Sequence, residues 1–144
     1  MDAQRLVQEQ QRHLARIAND IRGAGADRYR KRDHWAWYAF PTSKPGNADP
    51  RNTAVLNTND ARFVLGNAET RTAWIAVLQG LGSAIRAQRS RSVLPSIDHG
   101  RVEFFVKEWR DERLFAPAVR DHADFAEALK LFTASWQQPD ADCA

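Results

Sequence analysis

One short segment of the chain combines the residue types that a nucleotide site needs. In this segment, from Arg30 to Pro41, basic side chains come first and aromatic side chains follow them directly; we call it the aromatic segment. Cationic groups donate to phosphate oxygens and aromatic rings stack on bases, so the segment offers both kinds of contact. We expect ligand contacts from Arg32, Trp35, Trp37 and Tyr38, beside Arg30 and Lys31, and proton transfer from His34. The alternative is a core helix with a solvated basic start.

A second group with chemical potential is Asp98-His99-Gly100-Arg101, at the expected start of another helix. An aspartate beside a histidine offers a general acid–base pair, and Arg101 can hold an anion near a helix N-terminus. Neighbours in sequence do not face each other on one helix, however. The alternative is a capping aspartate followed by a surface histidine. We therefore predict Asp98 as a proton-transfer residue and Arg101 as a ligand-binding residue.

Amide and carboxylate side chains are also frequent between the first two candidates. They are Asn47, Asp49, Asn52, Asn57, Asn59 and Asp60. Such groups can bind ribose hydroxyls or a hard cation, and Asp49 is the third proton-transfer candidate. Their spacing does not match an EF-hand loop. Ordinary turn chemistry is the alternative explanation.

A basic, serine-rich stretch follows at residues 86–95, where Arg86, Arg89 and Arg91 could contact a nucleic-acid backbone. No helix-turn-helix, zinc or RNA-binding signature accompanies it, so a solvated charged surface is the alternative. The sequence also contains no zinc-ligand spacing, no phosphate-binding glycine-rich loop and no nucleophile elbow. No motif therefore requires a metal or another cofactor.

Apolar residues recur at helical spacing in four long segments, which must position these candidates. The segments are residues 3–22 (Leu6, Leu14, Ile17, Ile21), 67–88 (Trp74, Val77, Leu78, Leu81, Ile85), 98–110 (Val102, Phe105, Val106, Trp109) and a last helix after Asp121 (Phe125, Leu129, Phe132, Trp136). No convincing run alternates with the period of a strand. We predict an all-α fold, a five- to seven-helix orthogonal bundle around the Trp-rich helix.

The remaining boundaries follow from glycine, proline and capping residues. Residues 26–32 should lead into or begin a second helix, which ends near Phe40 because Pro41 cannot continue it. Residues 41–59 read as a long loop that would cover a pocket at the aromatic segment, with Val55 and Leu56 attaching its end to the core. Residues 116–118 read as another loop.

Capping side chains and glycines set the two helices after the long loop. Asn59 or Asp60 should cap a short helix over 61–65, and Asn67 should cap the long one after it. Gly80 and Gly82 are costly within that long helix, which predicts a close approach by a neighbouring helix.

Length and composition set broad limits. The 144 residues fit one domain, which we place at 1–138, with a disordered tail at 139–144. A net charge of +3 is compatible with an anionic ligand but does not identify one. A single cysteine excludes an internal disulfide, and no signal peptide or membrane-spanning run is present, so we expect a soluble, cytoplasmic monomer or homodimer.

The segment from Lys31 to Pro41 resembles the signature of a bacterial family, the domain of unknown function numbered 1810. Its members read, in outline, basic-basic-x-His-Trp-x-Trp-aromatic-x-Phe-Pro, and the matching residues here are Lys31, Arg32, His34, Trp35, Trp37, Tyr38, Phe40 and Pro41. The family looks all-α and is similar in size to this chain. It is also distantly similar to NADAR proteins, which act on ADP-ribose-type molecules. The resemblance thus implies a nucleotide or ADP-ribose-like ligand. Two positions differ: Thr42 replaces the glutamine usual in family 1810, and Asp33 precedes His34 where NADAR proteins have glutamate.

Two hypotheses about function follow. In the first, the protein binds or hydrolyses an ADP-ribose-like or other nucleotide ligand at the aromatic segment. In the second, it is a non-catalytic helical module whose basic surface contacts protein or nucleic acid. The family resemblance leads us to favour the first hypothesis. A His34 that faces a pocket would support it, whereas a His34 buried among apolar neighbours would support the second.

Overall fold

The chain folds into helices, and its two longest connections lie on either side of the short helix Ala36–Ala39, between Ala24 and Ala36 and between Ala39 and Thr58. The computed structural model describes residues 2–44, 49 and 53–141, and these ranges contain seven α-helices, one 3₁₀ turn and no strand. The helices are α1 (Asp2–Ala24), α2 (Ala36–Ala39), α3 (Thr58–Leu65), α4 (Ala68–Gln88), α5 (Ser96–Trp109), α6 (Ala116–Arg120) and α7 (Ala123–Gln137), and the 3₁₀ turn is Arg91–Val93. The predicted all-α bundle is confirmed. None of the helices in these ranges combines the length and apolar character that crossing a membrane requires.

Helix α4 packs along both α1 and α7. A Cβ atom added to Gly80 would lie 2.8 Å from Cγ2 of Ile21 on α1, and one added to Gly82 would lie 3.4 Å from Oγ of Ser135 on α7. The two glycines therefore bring the neighbouring helices close, as predicted from their cost within a helix.

The core is built from aromatic side chains on several helices. Trp74 on α4 and Trp109 on α5 meet edge to face, with ring centroids 5.3 Å apart. Their indole N–H groups donate to the carbonyls of Ala39 and Pro41 at 2.9 and 2.8 Å. Because buried carbonyls need donors, these bonds fix the end of the aromatic segment inside the bundle.

The second helix is shorter than predicted, since only Ala36–Ala39 is helical. The N–H of Lys31 donates to the carbonyl of Val93 at 2.9 Å, which holds the residues before Trp35 in a non-helical conformation along the 3₁₀ turn. A bond to a residue this distant in sequence is invisible to local pattern analysis. The aromatic segment therefore consists of an irregular basic stretch followed by a single buried helical turn.

The helix caps agree with the sequence in part. Asn67 caps α4 as predicted, by accepting the N–H of Thr70 at 2.9 Å. Asn57 caps α3 in place of Asn59 or Asp60, and Asp60 turns back to accept the N–H of Leu56 at 3.0 Å. Helix α3 consequently begins three residues before the predicted start at residue 61.

The connections also differ from expectation at two places. Residues 116–118 lie within the helical turn α6, which packs on α3 and α7 beside the buried ring of Phe115, so the predicted loop is wrong. At the end of the long loop, Val55 is buried and its N–H donates to the carbonyl of Thr42 at 3.0 Å. Val55 attaches this end to the core as predicted, whereas Leu56 is exposed.

Candidate functional site

The first two sequence candidates come together in the structure through an ion pair. Lys31 Nζ lies 2.8 Å from Asp98 Oδ2, with the side chains only 4% and 14% exposed, and 5.1 Å from the ring centroid of Trp35. The contact is an ion pair rather than a well-directed hydrogen bond. The charge of Asp98 is therefore matched inside the protein, and its carboxylate serves the fold at this position.

Arg101 and Asp49 form a second internal pair. Nη2 of Arg101 lies 2.7 Å from both carboxylate oxygens of Asp49, and the two side chains are 17% and 9% exposed. This contact attaches the long loop to α5. It also occupies the guanidinium that was predicted to hold phosphate and the carboxylate that was predicted to transfer a proton.

The aromatic rings predicted to stack on a base are largely covered. Trp35 and Tyr38 are 3% and 5% exposed, while Trp37 is partly buried and meets the Tyr38 ring edge to face at 4.8 Å. His13 stacks on Tyr38 at 5.6 Å. Burial of Tyr38 raises the pKa of its phenol to about 12, with smaller contributions from Arg16 (which lowers it) and from nearby carboxylates. The rings of Trp35 and Tyr38 therefore pack in the core.

His34 and Arg32 both lie on the surface. His34 makes no hydrogen bond to another residue of the described chain, and it is exposed rather than buried among apolar groups. Arg32 lines a depression of about 350 Å³ between α1 and the aromatic segment, and Trp35 lines it too. The other lining residues are Asp20, Ala24, Arg28, Tyr29, Arg30 and Asp33. His34 does not line the depression that its neighbours Arg32 and Trp35 line. Burial raises the pKa of Tyr29 to about 12, and Asp20 and Asp33 add to that effect.

His99 is held by the backbone rather than by its neighbour Asp98. Its Nε2 lies 3.1 Å from the carbonyl of Arg91 and 2.9 Å from that of Leu94. Because both partners are acceptors, Nε2 carries the proton. The ring also meets Trp136 edge to face at 5.0 Å, so His99 joins α5 both to the 3₁₀ turn and to α7. As the helical spacing implied, Asp98 and His99 do not form an acid–base pair.

The other two candidates have structural roles where the structure describes them. Asn57 and Asp60 provide the cap and the turn before α3, while Asn47 and Asn52 lie outside the described residues. Arg86 donates to Oγ of Ser135 at 3.2 Å, and Arg91 donates to the carbonyl of Trp136 at 2.6 Å. Turn chemistry and helix-end contacts therefore account for Asn57, Asp60, Arg86 and Arg91.

A groove of about 540 Å³ between α1 and α4 contains polar groups that the sequence analysis did not select. Alanines make much of its wall, and the lining residues are Gln10, Gln11, Ala15, Ala18, Asn19, Arg22, Glu69, Thr70, Thr72, Ala73 and Ala76. Oε1 of Gln10 and Oγ1 of Thr70 are both buried, and neither has a hydrogen-bond partner among the described residues. Buried polar atoms normally have partners, so this pair marks the groove as unusual.

The positions of these two side chains are well defined. Nε2 of Gln10 donates to the carbonyl of Tyr38 at 2.9 Å, which fixes the amide and leaves Oε1 as the acceptor. Gln10 and Thr70 are 1% and 2% exposed. The sequence did contain a signal, because Gln10 interrupts the apolar stripe midway between Leu6 and Leu14, and Thr70 lies one turn before Trp74.

Metal binding and similarity to known proteins add nothing to this picture. Within the described part of the chain, no three His, Cys, Asp or Glu side chains gather as metal ligands. Comparison of the chain with protein-family models, with curated proteins and with solved structures yields no significant match. The resemblance of residues 31–41 to family 1810 therefore stays a prediction, and the groove is the candidate site.

Proposed function

We propose that the protein binds a nucleotide-type small molecule, with an ADP-ribose-like compound as the first candidate, in the groove between α1 and α4. The observation that carries the proposal is that Gln10 and Thr70, which both line a groove of about 540 Å³, each contain a buried polar atom (Oε1 and Oγ1) without a hydrogen-bond partner among the described residues. Small-molecule sites typically have roughly 300–1,000 Å³ and a few polar groups in a mainly apolar wall.

The two ends of the groove differ in the chemistry that they offer. At one end, Gln10 Oε1 is an acceptor suited to the exocyclic amino group of a base, and the Thr70 hydroxyl can donate to a ring nitrogen. At the other end, Arg22 lines the groove with only a long contact of 3.5 Å to Asn19. Its guanidinium suits a phosphate group.

The distance between those ends fits an elongated ligand. Gln10 and Arg22 both lie on α1, and at 1.5 Å per residue they are separated by about 18 Å along the helix axis. The alanines between them provide a smooth apolar wall for a flat ring, and Asn19 and Glu69 add groups for ribose hydroxyls. A ligand with a base at one end and phosphate towards the other matches this order.

The proposal is limited to binding. The three residues predicted to transfer protons are engaged elsewhere or lie apart, since Asp98 pairs with Lys31, Asp49 pairs with Arg101, and His34 lies on the surface. The stacking role predicted for Trp35 and Tyr38 is replaced by the alanine-lined wall.

A thermal-shift screen with adenosine, AMP, NAD and ADP-ribose tests the proposal. A ligand at 100 times its dissociation constant adds about 2.7 kcal/mol to the free energy of unfolding. We expect ADP-ribose or AMP to raise the melting temperature by several degrees. If none of the four compounds shifts it at millimolar concentration, the proposal of nucleotide binding is wrong.

Thr70→Val locates the ligand. The change keeps the shape of the side chain and removes a hydroxyl that has no partner, so the free protein should keep its stability. The ligand-induced shift should fall or vanish. The matched control is Thr133→Val on α7, which removes a buried hydroxyl that donates to the carbonyl of Leu129 at 2.7 Å, outside the groove. Thr133→Val should lower stability and keep the ligand-induced shift.

Arg22→Gln tests the phosphate end. The change should weaken the binding of AMP and ADP-ribose and leave the binding of adenosine unchanged, because adenosine has no phosphate. Arg16→Gln on the same helix, outside the groove wall, is the matched control. His34→Ala should also keep the ligand-induced shift, and its loss in that variant would move the site back to the aromatic segment.

A further inference from the structure

A second cleft lies between α5 and the C-terminal end of α7, remote in sequence from the groove. It has a volume of about 580 Å³, and its walls are Arg91, Glu103, Val106, Lys107, Arg110, Trp136 and Gln137. Three cationic side chains face one carboxylate there, so the cleft is positively charged. Among the described residues, the charged ends of Lys107 and Arg110 form no ion pair.

Arg91 is held rigidly at one side of this cleft. Its Nε donates to the carbonyl of Trp136 at 2.6 Å and its Nη2 to that of Gln137 at 3.4 Å. The guanidinium lies over the indole of Trp136, 5.2 Å from the ring centroid. Nη1 has no acceptor in the part of the chain that the structure describes, so a preorganised donor remains for a ligand.

Trp136 supplies the second, independent indication of a ligand. The side chain is 2% exposed, and its Nε1 is buried without a hydrogen-bond acceptor in the described structure. Nε1 is the only polar atom of the Trp136 side chain, and this side chain lines the cleft. By comparison, Trp74 and Trp109 donate to the carbonyls of Ala39 and Pro41. An indole N–H can only donate, so an anionic oxygen held in the cationic cleft that Trp136 lines would satisfy it.

We infer that this cleft binds a phosphate group. Arg91 Nη1 and the indole N–H of Trp136 would donate to the phosphate oxygens, while Lys107 and Arg110 on the α5 side neutralise the charge. Glu103 also lines the cleft, and its carboxylate disfavours a polyanion placed over it. The phosphate can belong to a small anion or to a phosphodiester backbone, because both present the same oxygens.

Titration with two probes, followed by NMR of the indole N–H groups, tests the inference. The probes are inorganic phosphate and an oligothymidylate without terminal phosphate. Both are used at low salt, because salt screens the attraction between exposed charges. Five tryptophans give five indole signals, and Trp136→Phe identifies one of them. We expect the Trp136 signal to shift most. If both probes leave this signal unmoved, the inference is wrong.

Removal of the positive charges of Lys107 and Arg110, at the end of α5, provides the second readout. Lys107→Gln and Arg110→Gln should each raise the dissociation constant of the bound probe about tenfold, since each removes a positive charge that neutralises the phosphate. The matched controls are Lys130→Gln on α7 and Arg113→Gln after α5, which are exposed outside the cleft. Equal effects of the test and control variants would reduce the binding to general surface charge and overturn the site.

The two probes identify the source of the phosphate. Tighter binding of inorganic phosphate supports a small phosphate-bearing ligand, and binding of the oligonucleotide alone supports a backbone contact. Thr70→Val should leave both affinities unchanged, because Thr70 lies in the other groove. Failure of nucleotide binding in the α1–α4 groove would therefore leave this inference intact.

Discussion

Lys31 Nζ lies 2.8 Å from Asp98 Oδ2, in a largely buried ion pair between the aromatic segment and the first turn of α5. Both residues belong to groups that the sequence suggested for chemistry. Their pairing explains how a basic segment reaches into the core, because the Lys31 stem passes Trp35 while its charge meets Asp98. Because the pair is largely buried, removal of one partner should lower the free energy of unfolding substantially.

Removal of one member of this pair should be costly. Lys31→Met leaves the Asp98 carboxylate buried without its cation, and breaking a buried pair in this way costs about 3–5 kcal/mol of unfolding free energy. Addition of Asp98→Asn should recover part of that loss, which chemical denaturation of the single and double variants measures. The exposed pair Arg62–Asp121, at 3.6 Å, is the control. Arg62→Met should cost at most about 1 kcal/mol, and equal losses for Lys31→Met and Arg62→Met would contradict the prediction.

Gly80→Ala should destabilise the protein although alanine is the better helix former. The new Cβ would lie 2.8 Å from Cγ2 of Ile21, and this branched side chain cannot move away easily. Overpacking of this kind costs about 1–3 kcal/mol. Gly100→Ala on α5 is the control, because a Cβ there meets nothing within 4 Å and should add about 1 kcal/mol through helix propensity. Thermal unfolding of both variants checks the opposite signs, and a stabilised Gly80→Ala protein would refute the close approach of α1 and α4.

The tryptophans should differ in their contributions to stability. Trp74 is fully buried and hydrogen-bonded to Ala39, so Trp74→Ala should cost about 3–5 kcal/mol. Trp37 is only partly buried at the edge of the core, so Trp37→Ala should cost less, about 2 kcal/mol. Urea unfolding of both variants measures the difference. An equal loss for the two would place Trp37 in the core interior.

The two tyrosines should ionise late. Burial raises the pKa of Tyr29 and of Tyr38 to about 12, whereas phenols of the unfolded chain ionise near 10. Between these values the folded state holds more protons than the unfolded state, so stability falls as the pH rises from about 10 towards 12. Ultraviolet titration of phenolate in the native protein should therefore show little absorbance change at pH 10. The same titration in denaturant provides the reference, and coincident curves would contradict the burial of both rings.

Much of the fold could be predicted from local pattern. The apolar stripes of α1, α4, α5 and α7 follow the helical period, and helical geometry is a short-range property. Asn67 as the cap of α4 and Gly80 as a point of close approach were also predictable, since both depend on residues a few positions away or on backbone cost. These features depend on the amino-acid sequence within one or two turns.

The candidate sites were less predictable. Residue type alone suggested that Arg101, Asp49 and Asp98 were available for chemistry, yet each is paired within the protein. In contrast, Gln10 was not among the predicted site residues, although its position in an apolar stripe was a signal of burial. Whether a polar side chain has a partner depends on groups brought near it from distant parts of the chain.

By itself, then, the sequence determined an all-α bundle, most of its long helices and the apolar faces that pack together, because periodic burial of apolar surface drives those choices. Tertiary structure alone decided that the aromatic segment forms one short turn, held by the bond from Lys31 to Val93. It also decided which charges are neutralised and which buried polar atoms, in the α1–α4 groove and at Trp136, remain without a partner in the described chain. Hydrogen bonds and ion pairs act over a few ångströms in space, so only the assembled helices bring their partners into reach.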